Sequence, residues 1–177
     1  TFLVPRSDYR IEDTWHSMCL QGTGSNDIVV ENAFVPDYRT HKQSDGFAGT
    51  NPGVDQDSAA VYHLPWAQLF VRVVSTPAIG AARHALALYT ALVKGKCSGD
   101  VTKLAQDTGT QQRIAAARNA IEEMQTVLLA NFDAMMGHLR AGGTISLENR
   151  LLYRYQAALV IDKSIEVVDS LFSSAGG

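Results

Sequence analysis

Residues 110–140 read TQQRIAAARNAIEEMQTVLLANFDAMMGHLR, and their spacing decides the fold. Ile114, Ala117, Ile121, Met124, Leu128, Phe132, Met135 and Leu139 recur at steps of three and four, which puts them on one face of a helix. Two more helices of similar length flank it. One runs from about Trp66 to Val93, rich in Ala and Leu, with Pro77 expected to bend it or to mark its true start. The other starts behind a cap at Ser146, after the breaker Gly142-Gly143, and runs to about Ser173. Its apolar stripe reads Leu151, Tyr155, Leu159, Ile165, Val168 and Phe172. Helices of about 28 residues span roughly 42 Å at 1.5 Å per residue. Short connections between them make an antiparallel up-down bundle.

Upstream of this bundle the composition changes, near residue 50. Thr1 to Val4 and Asp27 to Val35 are β-branched runs separated by the turn cluster Gly22-Thr23-Gly24-Ser25-Asn26. These strands have too few partners to make a stable sheet alone, so they read as the last part of a β-domain. Residues from about Ser44 to Asp57 carry Gly46, Gly49, Pro52 and Gly53 and read as a linker or mobile loop. Strands followed by helices without βαβ alternation place the chain in the α+β class. The division expected is residues 1–47 as the end of a β-domain, 48–62 as linker and 63–177 as helical bundle. The opening Thr1-Phe2-Leu3-Val4-Pro5 lacks an initiator Met, and the tail Ser173-Ser174-Ala175-Gly176-Gly177 stops where a helix is capped. Both ends read as internal to a longer protein.

Composition removes several classes of function. The 177 residues are 46% hydrophobic and 19% charged, as in an ordinary folded domain. A net charge of −3 argues against a nucleic-acid partner. No apolar run is long enough to cross a membrane. Cys19 and Cys97 lack metal-ligand spacing and read as free thiols of a reduced, cytoplasmic protein. His16, His41, His63, His84 and His138 form no metal pattern. There is no dinucleotide fingerprint, because Gly22-x-Gly24 lacks the third glycine and precedes a strand.

Between Asp57 and Asp100 there is no Asp or Glu, while Arg72, Arg83, Lys94 and Lys96 all fall inside. Two readings fit: a helix packed on most sides in an oligomer, or a wall facing an anionic ligand. Lys94 and Lys96 suit a phosphate, yet cations at a helix C-terminus are also favoured by the dipole alone. The tail at residues 173–177 can cradle a phosphate through its N–H groups, and a glycine C-cap explains it equally well. Arg113, near a helix start, works against the dipole and needs another partner, for which a subunit contact is the commoner reason.

The order of these motifs resembles the acyl-CoA dehydrogenase-like superfamily. The carriers are Phe2-Leu3-Val4-Pro5-Arg6-Ser7-Asp8-Tyr9, then Asp13-Thr14-Trp15, Gly22-Thr23-Gly24-Ser25-Asn26-Asp27 and Val30-Glu31-Asn32-Ala33-Phe34-Val35-Pro36. The pairing of Asp13-x-Trp15 with the Gly-Thr-Gly-Ser-Asn-Asp run is most similar to the two-component flavin monooxygenases of that fold, such as the 4-hydroxyphenylacetate 3-hydroxylase oxygenase components. The resemblance implies the end of a middle β-domain followed by the helical domain of a homotetramer. It implies reduced FMN or FAD delivered by a separate flavin reductase, O2 as co-substrate, and a small phenolic substrate hydroxylated ortho to its hydroxyl. It further implies that Lys96 reaches flavin phosphate across a subunit boundary, where the family usually carries Arg, and that Ser173, Ser174 and Gly176 contact the phosphate end. The family's flavin-contacting serines and its phenol-binding histidine belong to segments this sequence does not contain, so no catalytic residue is assigned. His63, Trp66, Phe70 and Val73 are the substrate-pocket candidates, bulky and mostly apolar. The alternative is an FAD-dependent acyl-CoA dehydrogenase, which needs a carboxylate base. One branch of that family carries a glutamate about where Phe70 stands.

Overall fold

The computed structural model describes residues 1–95, 97–98 and 102–176. The chain forms two compact units, Thr1–Gly53 and Val54–Gly177. The division falls in the Gly- and Pro-rich stretch that contains Pro52 and Gly53.

In the first unit β1 (Tyr9–Glu12) and β2 (Asp27–Val30) pair antiparallel, with Tyr9 opposite Val30 and Ile11 opposite Ile28. The loop between them is organised by Asn26. Its Oδ1 accepts from the N–H groups of Thr14 at 3.1 Å and Trp15 at 3.0 Å, and the Trp15 indole donates to Leu20 O at 2.8 Å. Two separated sequence motifs are thus one hydrogen-bonded structure. The opening residues are not the strand their composition suggests. They make a single bridge, Phe2 to Thr40. A short helix α1 (Gln43–Ala48) stands within the stretch read as a loop, closed by Gly49 in the left-handed region at φ 76°.

The second unit is built on α2 (Trp66–Gly95), α3 (Thr108–Arg140) and α4 (Leu147–Ser174). A small ribbon of β3 (Cys97–Ser98) and β4 (Thr102–Lys103) lies between α2 and α3. Pro77 neither starts nor ends α2 but lies inside it. Ser146 caps α4 by accepting from Asn149 N at 3.2 Å, and Asp107 caps α3 by accepting from Thr110 N at 2.7 Å.

Buried positions follow a three–four rhythm on every helix: Gln68, Arg72, Ser75, Ile79 and Ala82 on α2; Ala117, Ile121 and Met124 on α3; Tyr153, Ala157, Val160, Ser164, Val167 and Leu171 on α4. The α3 face is the one its sequence predicts. On α4 the expected stripe is wrong. Leu151, Tyr155, Ile165 and Phe172 are exposed, and Leu159 and Val168 only half-buried. The buried face contains Ala157 and Ser164, small residues that a search for bulky apolar side chains passes over.

Cross-helix bonds fix the directions. Gln68 meets Arg150 and Arg72 meets Tyr153, separations of 82 and 81 residues, so α2 and α4 run parallel. Asn131 donates to Gln156 at 2.8 Å and Ser164 to Met124 Sδ at 3.6 Å, so α3 runs antiparallel to α4. Carried along two parallel helices, that offset puts Ser75 level with Ala157 and Ala82 level with Ser164. All four are buried, Ala82 and Ala157 at 0% exposure. Small residues facing each other let the helices approach closely. Ala157→Leu is therefore expected to overpack this seam at a cost of about 1–3 kcal/mol. Ala158→Leu, one position round on the exposed face, is expected to change stability by under about 0.5 kcal/mol. Thermal denaturation of the two variants checks both.

Candidate functional site

The candidate site residues fall in two parts of the bundle, at opposite ends of α2. At its start, Trp66 and Phe70 stack with ring centroids 4.6 Å apart and 20° between planes. Their four-residue spacing puts both rings on one side of the helix, and Val73 extends the same side. All three are exposed, Val73 at 71%. His63, in the 3-10 turn Ala60–His63, is half-buried. The predicted pocket residues therefore form an aromatic face, not an enclosed cavity. No carboxylate occurs on α2.

At the other end three helix termini converge around Tyr89. Its Oη is buried and has no partner at full hydrogen-bond geometry, although Ser174, Arg113 and Thr110 all face it. Burial alone raises the phenol pKa; the polar groups of Ser174, Arg113 and Thr110 and the Arg113 charge outweigh it and hold the phenol below its ordinary range. Arg113 thus has the Tyr89 hydroxyl as a polar neighbour within its own chain. Ser173 Oγ donates to Asp169 O at 2.7 Å and Ser174 Oγ to Ser170 O at 2.9 Å. Both hydroxyls are turned back onto their own helix. Gly176, at φ 74°, turns the chain immediately after α4. Lys94 is exposed in the last turn of α2. Lys96 lies outside the described residues.

Grooves run between the helices. One of about 220 Å³ is lined by Leu88, Tyr89, Leu92, Leu171 and Phe172. Another of about 410 Å³ lies between α2 and α3, with Arg83 at its edge. Neither includes the predicted substrate residues. Among the described residues no group of His, Cys, Asp and Glu could hold a metal ion, and no helix is long and apolar enough to cross a membrane.

Sequence reading missed the polar seam on the buried side of α2. Gln68 Nε2 donates to Arg150 O at 2.9 Å and Arg72 Nη2 to Tyr153 O at 3.1 Å. Arg72 is 3% exposed, and burial lowers its pKa. A signal was available: Gln68 and Arg72 hold the same three–four register as Ile79 and Ala82, so polar residues stand at core positions.

The sequence profile of the acyl-CoA dehydrogenase C-terminal domain matches residues 72–177. The chain is 33% identical over 99% of its length to the HsaA oxygenase subunit of a flavin-dependent monooxygenase from Rhodococcus jostii, and covers 47% of that protein. It is 30% identical to the oxygenase component of an FADH2-dependent resorcinol hydroxylase from a Rhizobium species, again over 99% of this chain and 45% of the relative. Among solved structures, 3-HSA hydroxylase from Rhodococcus sp. RHA1 superposes with a TM-score of 0.86 at 33% identity, over 99% of this chain and 46% of the other. The chain thus spans about half the length of the curated relatives it matches.

Asp107 supplies a pH test of the cap beneath Tyr89. Its hydrogen bonds from Thr110, backbone first and then side chain, hold its carboxyl below the ordinary 3.8. A depressed folded-state pKa gives stability that is complete above the unfolded value and lost as pH falls through the folded one. Denaturation midpoints should therefore fall as pH drops below about 4, and Asp107→Asn should remove this cap's share of the fall.

Proposed function

The chain belongs to the acyl-CoA dehydrogenase C-terminal domain family, and from that premise we propose that its protein is the oxygenase component of a two-component flavin-dependent monooxygenase. It hydroxylates a phenolic or other aromatic substrate with O2 and reduced FMN or FAD delivered by a separate reductase. The observation that carries this reading is the 33% identity, over nearly the whole chain, to a named monooxygenase oxygenase subunit. Bound reduced flavin supplies two electrons, so that one atom of O2 enters the ring and the other leaves as water.

The residues present fit such a flavin in part. The stacked Trp66–Phe70 pair offers a flat apolar face of the kind that receives an aromatic ring, with Val73 and His63 at its edges. This face orients the substrate and keeps water from the ring. The far end of α2 lies roughly 40 Å away at 1.5 Å per residue, so Gly176 and Lys96 would serve the phosphate of a flavin held on a neighbouring subunit, Gly176 by letting backbone approach and Lys96 by its positive charge. Ser173 and Ser174 would have to rotate away from their helix carbonyls to donate there. The exposed apolar residues of α4, Leu151, Tyr155, Ile165 and Phe172, support assembly as a homotetramer in which subunits cover them. A cytoplasmic location accords with the reducing conditions that a free Cys19 tolerates.

The protein given reduced flavin, O2 and a phenol should yield the ortho-dihydroxy product. Given an acyl-CoA and an electron acceptor, it should form no enoyl product. The reverse pattern sinks the reading in favour of the dehydrogenase. Lys96→Ala should weaken reduced-flavin binding roughly 10- to 150-fold, the worth of a charge-assisted phosphate contact. Unchanged affinity in a flavin titration removes Lys96 from the site. Trp66→Ala should weaken binding of the phenol roughly 3- to 10-fold through lost stacking, with flavin affinity kept.

A further inference from the structure

The two halves of α2 are held to α4 by different physics. From Ile79 onward the buried residues are Ile79, Ala82, Tyr89 and Val93, and they join the main apolar core. Before it they are Gln68, Arg72 and Ser75, none of them hydrophobic. This first half holds α4 through Gln68 to Arg150 O and Arg72 to Tyr153 O, and both carbonyls belong to the helical run of α4 itself. Among the described residues, four buried polar atoms in this seam have no partner: Gln68 Oε1, Arg72 Nη1, Ser75 Oγ and Arg150 Nε. Among the described residues no carboxylate lies within ion-pair distance of Arg72.

A buried polar atom without a partner is worse off than the same atom in water. Parting this seam therefore wets four orphaned groups and gives up two hydrogen bonds and the packing of the half-buried Leu69 on the small cluster of Leu64, Met135, Ile145 and Tyr153. Parting the second half would expose the core. The helix is also weakened at the boundary. Pro77 has no N–H, so Val73 O loses its intrahelical donor, and the Thr76 hydroxyl bonds back to Arg72 O at 2.6 Å. Such back-bonding and proline together are recognised causes of helix bending. The segment beyond this weak point carries the stacked Trp66 and Phe70 on its outer side.

We propose that residues 66–76 form a releasable arm, hinged at Thr76–Pro77, whose motion against α4 moves the Trp66–Phe70 face and so gates the aromatic-binding surface. The gating role rests on the reading under Proposed function; the hinge does not. The polar seam is the device that makes release easy, and Arg72 is its centre.

Hydrogen exchange followed by mass spectrometry on the protein, without flavin or substrate, tests the arm directly. Amides of residues 68–75 should exchange roughly 10-fold or more faster than those of 79–93. Arg72→Met fills the seam with an apolar side chain of similar length, so it should slow exchange in 68–75 by about 5-fold or more, leave 79–93 unchanged and not lower Tm. Gln68→Leu, which deletes the orphan Oε1, carries the same expectation where the Arg72 variant fails to accumulate. Equal protection of the two halves overturns the proposal. So does faster exchange of 68–75 in either variant, because Arg72 and Gln68 would then be pins that fasten the helix. Binding of a phenol to Trp66→Ala decides the substrate reading separately.

Discussion

The close approach of two parallel helices is the constraint on which the bundle depends. Ser75 and Ala82 on α2 stand level with Ala157 and Ser164 on α4, and all four are almost wholly removed from solvent. Parallel neighbours cannot be joined by a short loop, so α3 must return antiparallel between them, and it does so with the most regular apolar face in the chain. Buried positions repeating at threes and fours on every helix are the signature of shallow-angle packing. Once the small residues fix how near α2 and α4 lie, the outward faces of both helices follow. Trp66, Phe70 and Val73 are presented on one, and Leu151, Tyr155, Ile165 and Phe172 on the other.

That geometry separates roles along a single helix. The second half of α2 is anchored in the apolar core, and its end meets α3 and α4 at Tyr89. The first half is fastened by two polar contacts and by Leu69 on a smaller apolar cluster, and it bears the aromatic face. A rigid half that holds the fold and a lightly held half that meets a ligand is a common division, because elements that move are drawn from the least stable part of a structure. Near the aromatic face, as over its whole length, α2 is without a carboxylate.

Much of the fold was legible because the helix signals are local. The α3 stripe from Ile114 to Leu139 predicted which face turns inward, with Ala117, Ile121, Met124 and Met135 buried and the other four half-buried, and Ser146 was visible as a cap. The α4 face was not legible, since its inner side is lined by Ala157 and Ser164 while its outer side is the more hydrophobic. Only the partner helix decides which side turns inward. Pro77 does not mark the start of the helix, for a similar reason: packing of Ile79 and Ala82 carries α2 through a residue that disfavours an isolated helix. Of the candidate site, the aromatic face at Trp66, Phe70 and Val73 was readable as a run of bulky residues, though it is open where a pocket was expected. The serines at the end of α4 were readable as hydroxyls, but only the structure shows them bonded to their own helix. The polar seam and the Tyr89–Arg113 meeting join residues far apart in sequence, which no local pattern records.

The activity proposed for the protein is insertion of oxygen from O2 into an aromatic ring. The most direct measurement supplies the protein with reduced flavin, a phenol and isotopically heavy dioxygen in ordinary water, and reads the product by mass spectrometry. A monooxygenase places one heavy oxygen atom in the new ring hydroxyl, with none taken from water. A product whose added oxygen is unlabelled, or flavin oxidation that leaves the phenol unchanged, would contradict it.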